Sequence, residues 1–353
     1  MSIQIVSFDM SGPGDASGLA AALAAHPSAV RAVVFAKTEG HAGPNDFSRD
    51  LARGALSRAL ADAELARQST VMLAIGCEGV STPCGYALIE TPDTDDMCDC
   101  EPGHSALVLG TAVSGVPPAG EIGTPALVDR VAATVLAAMK DAGLTPEDTA
   151  LVLVKGPVLP TRHPLANAIR TDGSRGRAVA ALGVGVALGE VEREKVSMES
   201  IAADLSLYTR RAMTFAGPEL DRVEVVAFGN RLGAPGCLRI CATLTRDILD
   251  AASIKRMMVT QGFTLDDAGE LVEANRVQAI FAKCGVSPDG HLRGGRTTVF
   301  SSSLLPEMHM RAAESGVLGS IFGTTRYFIS GDPIQHSTPG GGVAAAIYKI
   351  PAC

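Results

Sequence analysis

A short apolar run that ends on a lysine occurs three times along this chain. The lysines are Lys37, Lys155 and Lys283, and each follows mostly apolar residues that include β-branched types. Such runs are typical of buried β-strands. The lysines lie 118 and 128 residues apart, so each marks about one third of the 353 residues. A period this long exceeds that of a solenoid and indicates three related units that share one core.

The same order of predicted elements recurs in each third of the chain. Each unit reads as a strand, a helix, the lysine strand, a second helix, a strand that breaks at glycine, and a last strand. The predicted units span residues 1–100, 101–234 and 235–353. An acidic stretch, Thr91–Glu101, is predicted to be a surface linker between the first two units.

The second unit is predicted to carry an insertion. The segment Met198–Phe215 is interpreted as an extra polar helix, and the strand Val223–Phe228 as the one that breaks at glycine, in Gly229-Asn230-Arg231. This interpretation places Arg231 at the glycine break of the second unit.

Two helices on one face of a small sheet leave the other face apolar and exposed. Three units can bury those faces together around a pseudo-threefold axis. We therefore predict an α/β fold of three pseudo-symmetric strand–helix repeats around a central site. A single lysine at a strand end is commonly a cap that reaches water. Three in register indicate a shared site, where burial lowers the lysine pKa.

An arginine follows each lysine in the sequence. Arg49, Arg177 and Arg296 come 12, 22 and 13 residues after their lysines. Arginine recognises carbonyl and carboxylate oxygens through paired hydrogen bonds. One arginine near a helix start is ordinarily solvated surface, but the near-equal spacing in two of the three units makes these arginines candidates for substrate binding.

Composition and charge exclude several classes of protein. The formal charge is −8 and no basic cluster is present, which argues against a nucleic-acid partner. No run approaches the roughly 18 apolar residues of a membrane span, and the N-terminus lacks a signal segment. The eight cysteines form neither a disulfide framework nor a zinc motif. We expect a cytoplasmic protein with reduced thiols and a small-molecule partner.

Several segments around the lysines together form a recognisable pattern. They are Phe35-Ala36-Lys37-Thr38-Glu39-Gly40, Asn45-Asp46-Phe47-Ser48-Arg49, Glu78-Gly79-Val80, Lys155-Gly156-Pro157 and Ser287-Pro288-Asp289-Gly290. The pattern resembles the cyclic amide hydrolases, the family of cyanuric acid amidohydrolase and barbiturase, over the whole chain. The resemblance implies three repeats around one active site, with a lysine and a serine from each. It also implies that a second-repeat serine opens the ring, and that the chain forms a homotetramer.

The implied chemistry suits these residue types. A serine hydroxyl is a poor nucleophile at neutral pH, and a lysine kept neutral by burial can serve as its base. A glycine after a strand frees backbone N–H groups for the developing oxyanion, which stabilises it by roughly 3–4 kcal/mol for one donor.

The sequence departs from the family pattern in each repeat. The first repeat has Ala74-Ile75-Gly76-Cys77 where the family has Ser-Gly-Gly, and the second has Arg231 where the nucleophilic serine is expected. The third repeat keeps Ser330-Gly331 with Lys283. The glutamate that binds the family's magnesium ion is replaced by Gly285. We therefore predict no metal or other cofactor.

Three functions remain open from the sequence. The first is hydrolytic ring opening of a small cyclic amide or imide other than cyanuric or barbituric acid. In that case Lys283 and Ser330 form the Ser–Lys pair, Lys155 and Lys37 share the site, and Gly331, Gly76 and the arginines bind the ring. Cys77 is an alternative nucleophile. The second is an isomerase or lyase in which Arg231 polarises a small anionic substrate. The third is a ligand-binding homologue without catalytic activity.

Overall fold

The computed structural model describes residues 1–41, 45–92 and 104–351. The first unit contains β1 (Ser2–Asp9), α1 (Ser17–Ala24), β2 (Arg31–Thr38), α2 (Ser48–Asp62), β3 (Thr70–Ile75) and β4 (Cys84–Thr91). The second contains β5 (Ser105–Val113), α3 (Pro125–Ala142), β6 (Thr149–Pro157), α4 (Ala168–Thr171), α5 (Gly173–Ala187), β7 (Ala212–Gly217) and β8 (Glu224–Leu232). The third contains β9 (Leu238–Thr245), α6 (Ala251–Thr260), β10 (Val277–Cys284), β11 (His291–Leu292), β12 (Gly295–Arg296), α7 (Pro306–Phe322), β13 (Phe328–Gly331) and β14 (Gly342–Lys349).

Each unit folds four strands into a mixed sheet with the same strand order. The orders are β1-β4-β2-β3, β5-β8-β6-β7 and β9-β14-β10-β13. In every sheet the last strand lies antiparallel between the first strand and the lysine strand. The lysine strand pairs in parallel with the third strand, which requires a crossover through the second helix of the unit. The predicted α/β fold of three similar units is confirmed, whereas the exact unit boundaries stay a prediction.

The three sheets pack against one another through their inner faces. The ring of Phe35 lies 5.8, 5.2 and 5.5 Å, between centroids, from Phe228, Phe281 and Phe328, so all three units meet there. The helices cover the outer faces, where each unit has its own apolar cluster. Side chains alternate along a strand, so Lys37, which lies two residues after Phe35, continues the inner face. Lys155 and Lys283 have the same parity as the inner-face residues of their strands.

The interpretation of the second unit is wrong in two places. The segment Met198–Phe215 is not a helix, because its last residues form strand β7 (Ala212–Gly217), parallel to β6. Met213 and Phe215 alternate onto the inner face, which is a strand period. The residues Gly229-Asn230-Arg231 do not break a strand, since β8 runs on to Leu232 in register with β5. The break that corresponds to Ser330-Gly331 therefore follows Phe215.

The predicted linker Thr91–Glu101 lies, from residue 93 onward, outside the described residues, as do Cys98 and Cys100. The described cysteines are free thiols: Cys77, Cys84, Cys237, Cys241 and Cys284. None of the helices within the described ranges is both long and apolar enough to cross a membrane.

Candidate active site

The three lysine strands and their parallel neighbours end at one pole of the central core. The parallel register places Lys37 beside Ala74, Lys155 beside Phe215 and Lys283 beside Ser330. The six side chains occupy equivalent inner-face positions. Lys155 donates a hydrogen bond to Leu73 O of the first unit (3.0 Å), and Nζ of Lys283 lies 5.1 Å from the centre of the Phe215 ring. The side chains of Lys155 and Lys283 therefore reach across the unit boundaries.

A cavity of about 120 Å³ lies at this pole. It is lined by His41, Arg49, Leu73, Ala74, Ile75, Lys155, Arg177, Phe215, Ala216, Leu305, Glu307, Arg311, Ser330 and Gly331. Residues of all three units contribute. The volume is small compared with that of sites for drug-sized ligands, so the cavity suits a single small ring.

Ser330 and Lys283 form a serine–lysine contact beside this cavity. The Lys283 Nζ lies 3.3 Å from Ser330 Oγ and donates a hydrogen bond to Gly331 O at 2.8 Å. Lys283 is fully buried. Burial and the nearby Arg177 cation hold the pKa of Lys283 well below its usual value. A neutral amine with its lone pair toward a hydroxyl can accept the hydroxyl proton.

Lys37 has no hydroxyl beside it, because its neighbour is Ala74. Its Nζ donates to Ile75 O at 2.9 Å. Burial, together with the cationic Arg311, lowers the pKa of Lys37 to about 7. The nearby Cys77 is partly buried and is absent from the cavity lining. Burial raises the pKa of the Cys77 thiol to about 11, which disfavours the nucleophilic thiolate at neutral pH.

Lys155 is held by a carboxylate rather than by a serine. Its Nζ lies 2.5 Å from Glu219 Oε1, in the loop after β7. Burial lowers the pKa of Lys155 while Glu219 opposes that change. Burial alone would raise the pKa of Glu219, but Lys155 and Arg49 lower it to about 2. Lys155 and Glu219 therefore form a buried ion pair, and Phe215 fills the position of the serine.

Three arginine–carboxylate pairs surround the cavity, and each joins one unit to the next. The pairs are Arg49 with Glu219 (2.8 Å), Arg177 with Asp332, and Arg311 with Glu78 (2.6 Å). Each arginine lies within the first two turns of a helix, and each carboxylate follows a third strand. The ion pairs form a closed ring, from the first unit to the second, to the third and back to the first.

The third arginine of the cavity is Arg311, not the predicted Arg296. Arg296 is exposed in the short β11–β12 hairpin and donates to Ser301 Oγ at 3.3 Å. The number of residues after Lys283 pointed to Arg296, because a long loop lies between the lysine strand and α7. Counting instead from the start of the second helix of each unit would have identified Arg311. Its guanidinium lies across Gly76, where φ is +91° and a Cβ would come within 2.5 Å of Arg311 Nη2.

Arg231 lies away from the cavity. It is in β8, where Glu224, seven residues earlier, pairs with Lys155. Seven residues of strand span roughly 23 Å, so Arg231 is at the opposite end of the sheet. There its Nη1 donates to Ala142 O at 2.9 Å. Arg231 was expected to take the place of a site serine. The register of β8 shows that this expectation is wrong.

The residues at the family's magnesium position do not fit that ion. A Cβ at Gly285 would lie 2.8 Å from both Gly341 O and Pro333 Cγ, so a glutamate there would require the backbone to move. In the described parts of the chain, no group of three or more His, Cys, Asp or Glu residues could hold a metal ion.

The model of the family described as amidohydrolase ring-opening protein matches residues 4–349. The chain belongs to this family. The resemblance noted in the sequence is therefore confirmed, and the family's chemistry is the opening of cyclic amides.

Relatives match over nearly their full length. A cyclic amide hydrolase of Azorhizobium caulinodans is 34% identical, over 99% of this chain and 100% of the relative. A cyanuric acid amidohydrolase of Pseudonocardia dioxanivorans is 31% identical over 99% and 98%. Barbiturase 1 of a Nocardioides species is 31% identical over 90% of each chain.

Solved structures agree with the fold. A cyanuric acid hydrolase superposes with a TM-score of 0.89 at 29% identity, over 99% of each chain. The cyanuric acid hydrolase of A. caulinodans gives a TM-score of 0.86 over 98% of each chain. The three-unit architecture is therefore shared with these two structures.

Proposed function

We propose that this protein hydrolyses a small cyclic amide or imide, with Ser330 as nucleophile and Lys283 as base. The observation that carries the proposal is the 3.3 Å contact between Ser330 Oγ and the buried Lys283 Nζ at the cavity. Ser330 is the single serine among the described cavity-lining residues.

The chemistry proceeds in two balanced steps. Ser330 Oγ attacks the amide carbon while its proton moves to Lys283 Nζ. The ring C–N bond then breaks, and Lys283 returns the proton to the leaving nitrogen, which gives an ester on Ser330. A water molecule cleaves the ester in the second step and regenerates the hydroxyl. The net change is the addition of one water to the ring.

Two arginines of the cavity lining support recognition of ring oxygens. Arg49 and Arg177 both line the cavity. A guanidinium group recognises carbonyl oxygens through paired hydrogen bonds. Gly76 and Gly331 allow the backbone to pass close to Arg311 and Glu307.

The isomerase or lyase alternative loses its main support. It relied on Arg231 as a cation in the site, and Arg231 lies at the other end of its sheet. The arginines that do line the cavity are each paired with a carboxylate. A strongly anionic substrate is therefore not favoured. No observation favours a purely ligand-binding role over hydrolysis.

A panel of small cyclic amides and imides tests the proposal. Purified protein is incubated with each compound, and mass spectrometry detects the gain of one water. We expect turnover of at least one ring by the unmodified protein and none by Lys283→Met. Failure to open any ring, or equal activity in Lys283→Met, contradicts the proposal.

Cyanuric and barbituric acids are expected to be poor substrates. Two of the three equivalent serine positions hold Ala74 and Phe215, whose side chains offer no hydrogen bond to these rings. Loss of ultraviolet absorbance measures the turnover of each compound. A rate near the enzyme median of about 10 per second for either compound would show that the missing hydroxyls are not needed.

Two further proposals have separate grounds. We infer from the family resemblance that the chain assembles as a homotetramer, and from its free thiols that it acts in the cytoplasm. Light scattering coupled to size-exclusion chromatography tests the first, since a monomeric mass at micromolar concentration would contradict it.

A further inference from the structure

We propose that Glu307 binds the ring N–H of the substrate, so that the site accepts a neutral cyclic amide or imide with a free N–H beside the carbonyl group under attack. This inference rests on the proposed function, because it assigns a further binding role within the same cavity. It follows from the position of Glu307 beside Ser330 and from the hydrogen-bonding character of the other groups that line the cavity.

The start of helix α7 places Glu307 next to the proposed nucleophile. Glu307 lies in the first turn of α7, where the helix dipole stabilises a negative charge. A Cβ at Gly331 would come within 3.1 Å of Glu307 Cα and 3.2 Å of its Cβ, so the residue after Ser330 packs against Glu307. Glu307 lines the cavity, and its side chain is 29% exposed. A ring bound in the cavity can therefore reach the carboxylate.

The Glu307 carboxylate lies near Arg177 without accepting a hydrogen bond from it. Glu307 Oε1 is 3.5 Å from Arg177 Nη2. A terminal guanidinium nitrogen carries two N–H groups, and those of Arg177 Nη2 are donated to Asp332 and to Ser174 Oγ. Within the described parts of the chain, the Glu307 carboxylate therefore keeps its acceptor capacity for a ligand.

Most other polar groups of the lining are donors or are already engaged. Three guanidinium groups can only donate hydrogen bonds; they belong to Arg49, Arg177 and Arg311. Lys155 is paired with Glu219. Three backbone oxygens at the cavity already accept from the buried lysines: those of Leu73, Ile75 and Gly331. A ring N–H therefore has few acceptors to choose from.

The described lining contains three side chains besides the lysine that can accept a hydrogen bond: Ser330, His41 and Glu307. In the proposed reaction, Ser330 Oγ faces the carbonyl carbon. His41 is exposed, and its imidazole can donate or accept. An ionised carboxylate can only accept. An N–H group is therefore the complement of Glu307.

The geometry of a ring amide suits a donor and an acceptor that lie side by side. Ring closure forces the amide into the cis arrangement, so the carbonyl oxygen and the N–H point to the same edge. An open-chain secondary amide is almost always trans, with the two groups on opposite sides. Arg177 as donor and Glu307 as acceptor match the edge of the ring. A ring that has lost its N–H proton would be repelled by the carboxylate, which favours the neutral ring.

Binding of two rings that differ by one methyl group tests the inference. Titration calorimetry on the Ser330→Ala variant gives dissociation constants for glutarimide and N-methylglutarimide without turnover. We expect glutarimide to bind at least about tenfold more tightly, because methylation removes a hydrogen bond to a charged group. Adding Glu307→Ala should reduce this ratio to less than about threefold.

Three further variants in the same background complete the test. Glu307→Gln keeps a side-chain oxygen that can accept, so its ratio should be intermediate. His41→Ala removes the other acceptor and should leave the ratio in place. Glu147→Ala removes an exposed carboxylate outside the cavity lining and should also leave it unchanged. A purely structural role of Glu307 would weaken both compounds alike, and circular dichroism shows whether each variant folds.

The outcomes separate the inference from the proposed hydrolysis. The inference is overturned if glutarimide does not bind, if the ratio is unchanged in both Glu307 variants, or if it collapses in His41→Ala instead. If the ratio depends on Glu307 but the unmodified protein opens no ring, the inference stands and the proposed hydrolysis fails. If rings are opened and the ratio does not depend on Glu307, the hydrolysis stands and the inference fails.

Discussion

At the scale of single residues, burial gives the three lysines different chemistry from a surface lysine. All three are buried at one pole of the core, and for each the pKa is lowered mainly by desolvation. Only Lys283 has a hydroxyl to activate. Lys155 is paired with Glu219, and Lys37 has a backbone carbonyl as its partner. The residue types and the pairing of Lys283 with Ser330 were predictable from the sequence, but the pairing of Lys155 with Glu219 was not, because Glu219 follows strand β7, which the sequence analysis interpreted as part of a helix.

Lys37 should make stability depend on pH. Its folded pKa is about 7, below its ordinary value of 10.5. Between these values the unfolded chain binds a proton that the folded chain does not, so the free energy of unfolding rises with pH. The rise due to Lys37 amounts to at most about 4 kcal/mol. Urea unfolding at pH 7 and pH 9.5 measures it.

The substitution Lys37→Met should remove this part of the pH dependence of the unfolding free energy. The variant should also be more stable than the unmodified protein at pH 7. The exposed Lys140→Met serves as control and should keep the original pH dependence. Equal pH slopes for Lys37→Met and the unmodified protein would mean that Lys37 stays charged in the folded state.

At the scale of elements, strand periodicity could be predicted better than the breaks between strands. The three lysine strands and the repeated order were readable because apolar runs ending on lysine are distinctive. Strand β7 was missed because a polar segment of turns precedes it, which hid the alternation of Met213 and Phe215. Arg311 was missed because the loop before α7 contains the β11–β12 hairpin. Such loops change the number of residues between two elements without changing where those elements lie in the fold.

Gly76 is a backbone position beside the cavity at which the geometry leaves no room for a side chain. Its φ of +91° disfavours side chains, and a Cβ would collide with Arg311. We expect Gly76→Ala to destabilise the fold by about 1–3 kcal/mol and to weaken substrate binding through displacement of Arg311. Thermal unfolding and KM measure the two effects.

Gly115→Ala is the matched control, because a Cβ there meets nothing within 4 Å and φ is not positive. It should change stability by less than about 0.5 kcal/mol. Equal effects of the two substitutions would contradict the role assigned to Gly76.

At the scale of the whole molecule, a shared core and the closed ring of ion pairs hold three units together. The ring of ion pairs could not be predicted from the sequence, because each arginine and its carboxylate lie in different units. Asp332 and Glu307 on one side and Glu219 on another keep the arginines of the cavity partly neutralised. The shared core, by contrast, followed from the two-layer units, since three apolar sheet faces had to be buried together.

Glu78→Gln tests how much one ion pair of the closed ring contributes to stability, with an exposed ion pair as the matched control. Glu78 and Arg311 are 22% and 11% exposed, whereas Asp9 and Arg326 form a similar bidentate pair between the first and third units at 52% and 44%. We expect Glu78→Gln to cost about 1–3 kcal/mol and Asp9→Asn at most about 1 kcal/mol. Chemical denaturation of both variants measures the difference, and a larger cost for Asp9→Asn would contradict the account.

The most direct test of the account is the kcat/KM of Ser330→Ala and Cys77→Ala on the ring that the protein opens fastest. Ser330→Ala should lower kcat/KM by at least about 10³-fold, because it removes the nucleophile. Cys77→Ala should change kcat/KM less than about threefold, because burial raises the pKa of its thiol to about 11 and so disfavours the nucleophilic thiolate at neutral pH. An inactive Cys77→Ala with an active Ser330→Ala would move the nucleophile to the first unit. Full activity in both variants would contradict hydrolysis through a covalent serine intermediate.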